Sequence, residues 1–168
     1  DTVVLDKTGT LTEGRMRIAA VHAAAGLLAD PRAAAAVRAA VAAAEGASEH
    51  PIARAVARDL PEPGDPAAAV TAFTALSGLG VSASVDVDGV ALEVLVGRPE
   101  LLAERGHPLP TDVAGRVASE AAAGRTAVAA VVAGPGLPEA AALVVGLADT
   151  VRPGAAAAVA ALHGMGLR

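Results

Sequence analysis

The chain has 168 residues, a formal charge of -5 and a composition that is 54% hydrophobic but only 1% aromatic. That length suits one domain, or a small domain carrying an insertion, and the acidic, aromatic-poor balance excludes a nucleic-acid binder, which needs a basic face and stacking platforms. With no cysteine there is no disulfide framework and no thiolate metal site, and no stretch is apolar over the 18 or more residues of a membrane span. No signal peptide is visible. The first residue is Asp1 rather than Met and a chemistry-bearing segment already stands at residue 6, so the expectation is a piece of a longer protein whose membrane part, if any, lies elsewhere.

In chain order, Val3–Leu5 reads as a short buried strand that ends in a polar, Gly-containing turn. Residues 32–44 read as a helix with Val37 and Val41 on one face. Ser48 is placed to cap a second helix whose first turn holds Pro51, where a missing N–H costs little, and whose inner face is Ile52, Ala55 and Val56. Pro61–Pro66 reads as a loop. Residues 69–76, 80–87 and 90–96 read as strands, the last two joined by Asp88-Gly89, a hairpin signal. Thr111 is expected to cap a helix ending at Gly124. Thr126–Ala133 and Ala141–Ala148 read as strands, and Pro153 opens a final helix that stops near Gly164. The middle of the chain therefore looks like an antiparallel α+β module, and the two ends like pieces of one α/β domain into which it is inserted.

The most informative segment is Asp6-Lys7-Thr8-Gly9-Thr10-Leu11-Thr12. A carboxylate at the C-terminal end of a buried strand suits nucleophilic attack on a phosphoryl group. The turn after it offers N–H and O–H groups to surround that phosphoryl, and Mg²⁺ is needed to offset the charge between carboxylate and phosphate.

This heptapeptide resembles the signature of P-type ATPases, within the haloacid dehalogenase superfamily. The resemblance implies Asp6 as the aspartyl-phosphate site, grouped with Lys7 and Thr8 as catalytic residues, and Mg²⁺ held by Asp6 and the main-chain carbonyl of Thr8. Soluble phosphatases of the superfamily carry a second Asp two residues after the nucleophile. Thr8 stands there instead, and a threonine is no general base near neutral pH, so the phosphoenzyme is expected to persist.

A second constellation, Glu45 followed by Ser48-Glu49-His50-Pro51, is similar to the nucleotide-binding signature of the heavy-metal branch of P-type ATPases. The resemblance implies that His50 packs on or beside the adenine of ATP and that Glu45 accepts from its exocyclic amine. Gly78-Leu79-Gly80-Val81 resembles the family's Gly-x-Gly element, with Gly78 and Gly80 giving the purine room and Val81 an apolar wall. In Val96-Gly97-Arg98 the family's Gly is usually followed by Asn; Arg98 can reach a phosphate but cannot accept a hydrogen bond as Asn can. Asp149-Thr150-Val151-Arg152-Pro153 resembles the return to the phosphorylation domain, where the family places Asp149 and Arg152 near the hinge and the nucleotide's ribose and phosphates.

The resemblance implies a haloacid-dehalogenase-like, Rossmann-like phosphorylation domain in two incomplete parts, residues 1–14 and 143–168. Between them it implies an antiparallel-sheet nucleotide-binding domain, residues 15–142. It implies ATP and Mg²⁺ as ligands, and as partners the remaining domains of a transporter, with this segment on the cytoplasmic side of a plasma membrane and copper(I) as the favoured cargo. The later Mg²⁺-binding motifs of the family do not occur in the chain, so the segment by itself is not expected to turn ATP over. A soluble phosphatase and a non-catalytic nucleotide-binding module are the competing readings.

Overall fold

The computed structural model describes residues 1–168, except for the side chains of Lys7 and Thr8. The roles expected of Lys7 and Thr8 therefore lie outside the described residues. The centre of the molecule is one six-stranded sheet, antiparallel at every pairing, in the order β1-β6-β5-β4-β3-β2. The strands are β1 Thr12–Ala23, β2 Ala68–Leu76, β3 Gly80–Val87, β4 Val90–Gly97, β5 Thr126–Ala133 and β6 Ala142–Val151. The helices are α1 Ala25–Leu28, α2 Pro31–Gly46, α3 Pro51–Asp59, α4 Pro99–Glu104, α5 Thr111–Ala122 and α6 Ala155–Gly164.

The period-2 rule explains how the sheet serves two layers. In β3, Val81, Ala83, Val85 and Val87 are buried while the residues between them are not. These four join Val37, Val41 and Val56 of α2 and α3 in the larger core, and Leu101 and Leu102 of α4, Val113 of α5 and Ala129 and Val144 of the sheet form the smaller one on the opposite face. Asp30 opens α2, its carboxylate accepting from the Arg32 and Ala33 main-chain nitrogens. The β3–β4 hairpin turns on Asp88 at φ 50° and Gly89 at φ 83°, the paired positive angles that a tight Asp-Gly turn requires.

Three sequence-based expectations change. Val3–Leu5 is not a buried strand: Val4 is 90% exposed, and among the described residues the main-chain pairing here is with Arg168, Val3 N–H donating to its carbonyl at 2.8 Å and Arg168 N–H donating to the Asp1 carbonyl at 3.2 Å. A single parallel bridge covers neither face of the run. The α3 cap is His50 rather than Ser48, because the imidazole Nδ1 accepts from Ile52 N–H at 3.2 Å, while Ser48 Oγ accepts from His50 N–H at 3.3 Å. Thr111 is the first helical residue of α5, and Pro110 stands at the cap position without a side-chain bond. The sequence reading also passed over β1, α1 and α4. Among the described residues no helix is long and apolar enough to cross a membrane.

Candidate functional site

Residues 45 to 53 turn the end of α2 into the start of α3, and the chain then supplies the β2–β3 turn, the end of β4 and the start of β5 around the same space. They enclose a cleft of about 410 Å³ lined by Glu45, Ser48, His50, Ile52, Ala53, Ala75–Val81, Gly97, Arg98 and Thr126–Val128. Seven positions singled out in the sequence, Glu45, His50, Gly78, Gly80, Val81, Gly97 and Arg98, therefore share one cavity. Asp6, Asp149 and Arg152 are not among its lining residues.

Glu45 is the chemically distinctive member. It is 5% exposed, and among the described residues no donor meets its carboxyl. Burial pushes that carboxyl up to about 7, because a charged form without water or a partner is disfavoured. The residue is buried but its carboxyl oxygens open onto the cleft, where a ligand's donor can reach them. His50 is fixed differently: because Nδ1 accepts from the helix start, the neutral ring carries its proton on Nε2 and can donate there. Val81, 5% exposed, is an apolar wall.

The glycines have distinct reasons. Gly80 and Gly97 face each other across β3 and β4. A Cβ at Gly80 would lie 2.0 Å from the Val96 carbonyl oxygen, and one at Gly97 would lie 2.4 Å from that of Leu79. Both are thus demanded by the protein's own backbone. Gly78, at φ 70° with open space where a Cβ would be, is the one that leaves room at the cleft.

The Asp6 segment is organised by a separate set of contacts. Lys7–Leu11 makes one wide helical turn into β1. The Thr12 hydroxyl donates to Asp149 Oδ2, and Arg15 N–H donates to Asp149 Oδ1 at 2.8 Å. The Arg152 guanidinium donates to the carbonyls of Gly9 at 2.9 Å and Thr12 at 3.0 Å, and Arg152 N–H to that of Leu11 at 2.9 Å. Asp149 and Arg152 thereby latch the end of the Asp6 turn to β6. Asp6 itself is exposed. Among the described residues no group of three or more His, Cys, Asp or Glu stands close enough to hold a metal ion.

A larger cleft, of about 600 Å³, lies between β4, β5 and the Arg105–Pro110 loop and contains none of the residues singled out in the sequence. Sequence reasoning also missed Thr126–Val128 as a wall and Thr12 as a latch. Thr12 was visible in the heptapeptide; the wall depends on strand order, which no local pattern carries.

The family model for haloacid dehalogenase-like hydrolases matches residues 1–168. The chain belongs to that family. Its curated relatives are P-type ATPases: a probable copper-exporting P-type ATPase V of Mycobacterium tuberculosis is 40% identical over 168 residues, all of this chain and 20% of the relative. A copper-transporting P-type ATPase of Rhizobium leguminosarum bv. viciae is 36% identical over the same length, 18% of that protein. The chain thus spans about a fifth of the length of these family members. Among solved structures, a zinc-transporting PIB-type ATPase in the E2.Pi state is 29% identical at a TM-score of 0.62, over 96% of this chain and 24% of the other. The catalytic domain of the CPx-ATPase CopB-B shares the fold at a TM-score of 0.58 and 21% identity, over all of this chain and 51% of that one.

Proposed function

We propose that the chain is the ATP-binding and phosphorylation segment of a heavy-metal-exporting P-type ATPase, with copper(I) as the cargo and Asp6 as the phosphoryl acceptor. The observation that carries the reading is Glu45, a mostly buried residue whose carboxyl opens without a protein donor, among the described residues, onto a cleft shared with His50, Gly78 and Arg98. A flat base with an exocyclic amine supplies the missing donor, His50 offers a ring beside it, and Arg98, an exposed residue at the rim, offers charge to phosphate. The copper assignment follows the names of the relatives from Mycobacterium tuberculosis and Rhizobium leguminosarum.

In the proposed reaction the Asp6 carboxylate attacks the γ-phosphorus of ATP, ADP leaves, and water later releases phosphate from the acyl phosphate. The donors near Asp6 are carboxylate and main-chain oxygen, the hard set that Mg²⁺ takes together with phosphate and water oxygens. Asp6, with the Thr8 carbonyl that the resemblance implies, would hold that ion, which offsets charge between the two anions. Residues 15–142 would form the nucleotide-binding part and residues 1–14 and 143–168 the phosphorylation part, on the cytoplasmic side of a membrane protein. The test is labelling of the full-length transporter with γ-labelled ATP. An acid-stable, hydroxylamine-labile phosphate is expected, absent in Asp6→Asn; label retained in that variant overturns the assignment.

A further inference from the structure

The proposed chemistry uses one of the two buried carboxylates among the described residues; the other is Glu120, 4% exposed on α5. Its position is unusual for a helix packed on a sheet. Val113, Val117 and Glu120 fall at i, i+4 and i+7, so a carboxylate ends the stripe by which α5 meets the smaller core. Glu120 Oε1 lies 2.9 Å from His22 Nε2 on β1, and Oε2 accepts from Arg125 Nη1 at 3.0 Å. These contacts, His22 foremost and against the opposing effect of burial, hold the carboxyl below its ordinary range.

Two details tie this group to β5. A Cβ at Gly146 of β6 would lie 2.0 Å from Glu120 Oε2, so the carboxylate is seated on bare backbone, and Gly146 is the register partner of Ala127. Arg125 is held twice, by its guanidinium and by its N–H, which donates to the Glu120 carbonyl at 3.0 Å. The next three residues, Thr126–Val128, form a wall of the nucleotide cleft.

We propose that Glu120 is a positioning residue for that cleft, bracing the start of β5 from the opposite face of the sheet through Arg125, His22 and the seat at Gly146. An apolar side chain at 120 would fill the same space without fixing a direction. A carboxylate with two oriented donors specifies where the strand begins. The inference rests on the cleft being the ATP site.

The experiment titrates ATP and adenosine into the 168-residue chain and into Glu120→Gln, Arg125→Ala and Arg125→Lys, with amide exchange followed residue by residue. Glu120→Gln and Arg125→Ala are expected to weaken both ligands by the same factor, about fivefold, and Arg125→Lys to stay within about twofold of the parent. Exchange should quicken at Thr126–Val128 and stay unchanged at Ala83 and Val85. Equal affinities in parent, Glu120→Gln and Arg125→Ala overturn the brace, as does exchange that quickens evenly through the sheet. Should Glu120→Gln fail to fold, the two Arg125 variants decide. A parent chain that binds neither ligand refutes the reading of the cleft, and the exchange pattern then decides the brace by itself.

Discussion

The hydroxyl of Thr12 donates to the carboxylate of Asp149 across 137 positions of sequence, where β1 leaves the Asp6 segment and β6 returns to it. Thr12 is 3% exposed, so the acceptor it uses is not readily replaced by water. Arg15 N–H shares the same carboxylate. Asp149→Ala should therefore cost about 1–3 kcal/mol, the range for losing hydrogen bonds to a charged acceptor. Asp149→Asn, which keeps one acceptor oxygen, should cost less. Urea unfolding of the two variants beside the parent measures the difference, and equal midpoints would mean that the latch is not formed.

Glu45 gives a pH dependence with a defined sign. Its folded-state pKa, about 7, lies above the ordinary 4.5, so the folded chain binds this proton more tightly than the unfolded chain. Its effect on stability is neutral below about 4.5, increasingly unfavourable as pH rises to about 7, and level above, with an upper bound of roughly 3 kcal/mol. Glu45→Gln should flatten that window in denaturation curves collected from pH 4 to 8 (about the span of the two values).

The same group makes ligand binding respond in the opposite direction. Only the ionised carboxylate accepts freely from an amine, so ATP affinity should climb as pH rises through about 7. Calorimetric titration of the parent and of Glu45→Gln at several pH values reads it. A parent curve no steeper than that of the variant would remove Glu45 from the binding step.

Gly80 and Gly78 should respond very differently to alanine. The methyl of Gly80→Ala would collide with the Val96 main chain, which cannot move without parting β3 from β4. A loss of about 3 kcal/mol or more is expected, as for overpacking in a tight interior. Gly78→Ala meets open space and bears only the strain of its positive φ, about 1–2 kcal/mol. Thermal unfolding ranks the two, and a Gly78→Ala chain less stable than Gly80→Ala would contradict the contact.

His50→Gln should weaken ATP more than Arg98→Ala does. His50 combines a lining position with a cap bond that fixes its ring, whereas Arg98 is exposed at the rim, where salt screens its charge. The expected loss for His50→Gln is roughly 5- to 150-fold. If Arg98→Ala proves the weaker binder, the base lies elsewhere in the cleft.

Much of this was legible because local chemistry demanded it. Asp88-Gly89 specifies its turn, Pro51 its helix start, and the valines of β3 alternate at the period of a strand with one buried face. Glu45, His50, Gly78, Gly80 and Arg98, singled out by their motifs, line one cleft. What failed to show in the sequence depends on partners far along the chain. Val3–Leu5 is apolar enough for a buried strand, but among the described residues its main-chain pairing is the bond to Arg168. β1 carries Glu13, Arg15 and Arg17 among its apolar residues, and as the edge of the sheet it needs no continuous apolar face. Ser48 has the right chemistry for a cap, yet the imidazole two residues later takes the position. The glycines at 80 and 97 were legible as a motif but not in their cause, which is the approach of β3 to β4.

β1 and β6 run side by side from the Asp6 turn into the body of the sheet, and their ladder is interrupted between Thr12 and Met16 and again between Ile18 and Ala20. The first interruption falls where β1 and β6 are a two-stranded ribbon, the second where β5 also borders β6, and a bulge bends and twists its strand locally. If the proposed reaction brings the cleft toward Asp6, the stretch Thr12–Arg17 of β1 against Ala148–Val151 of β6, which no third strand borders among the described residues, is where the sheet is narrowest. A side chain that stiffens Arg15–Arg17 should then slow that approach without touching either the cleft or Asp6.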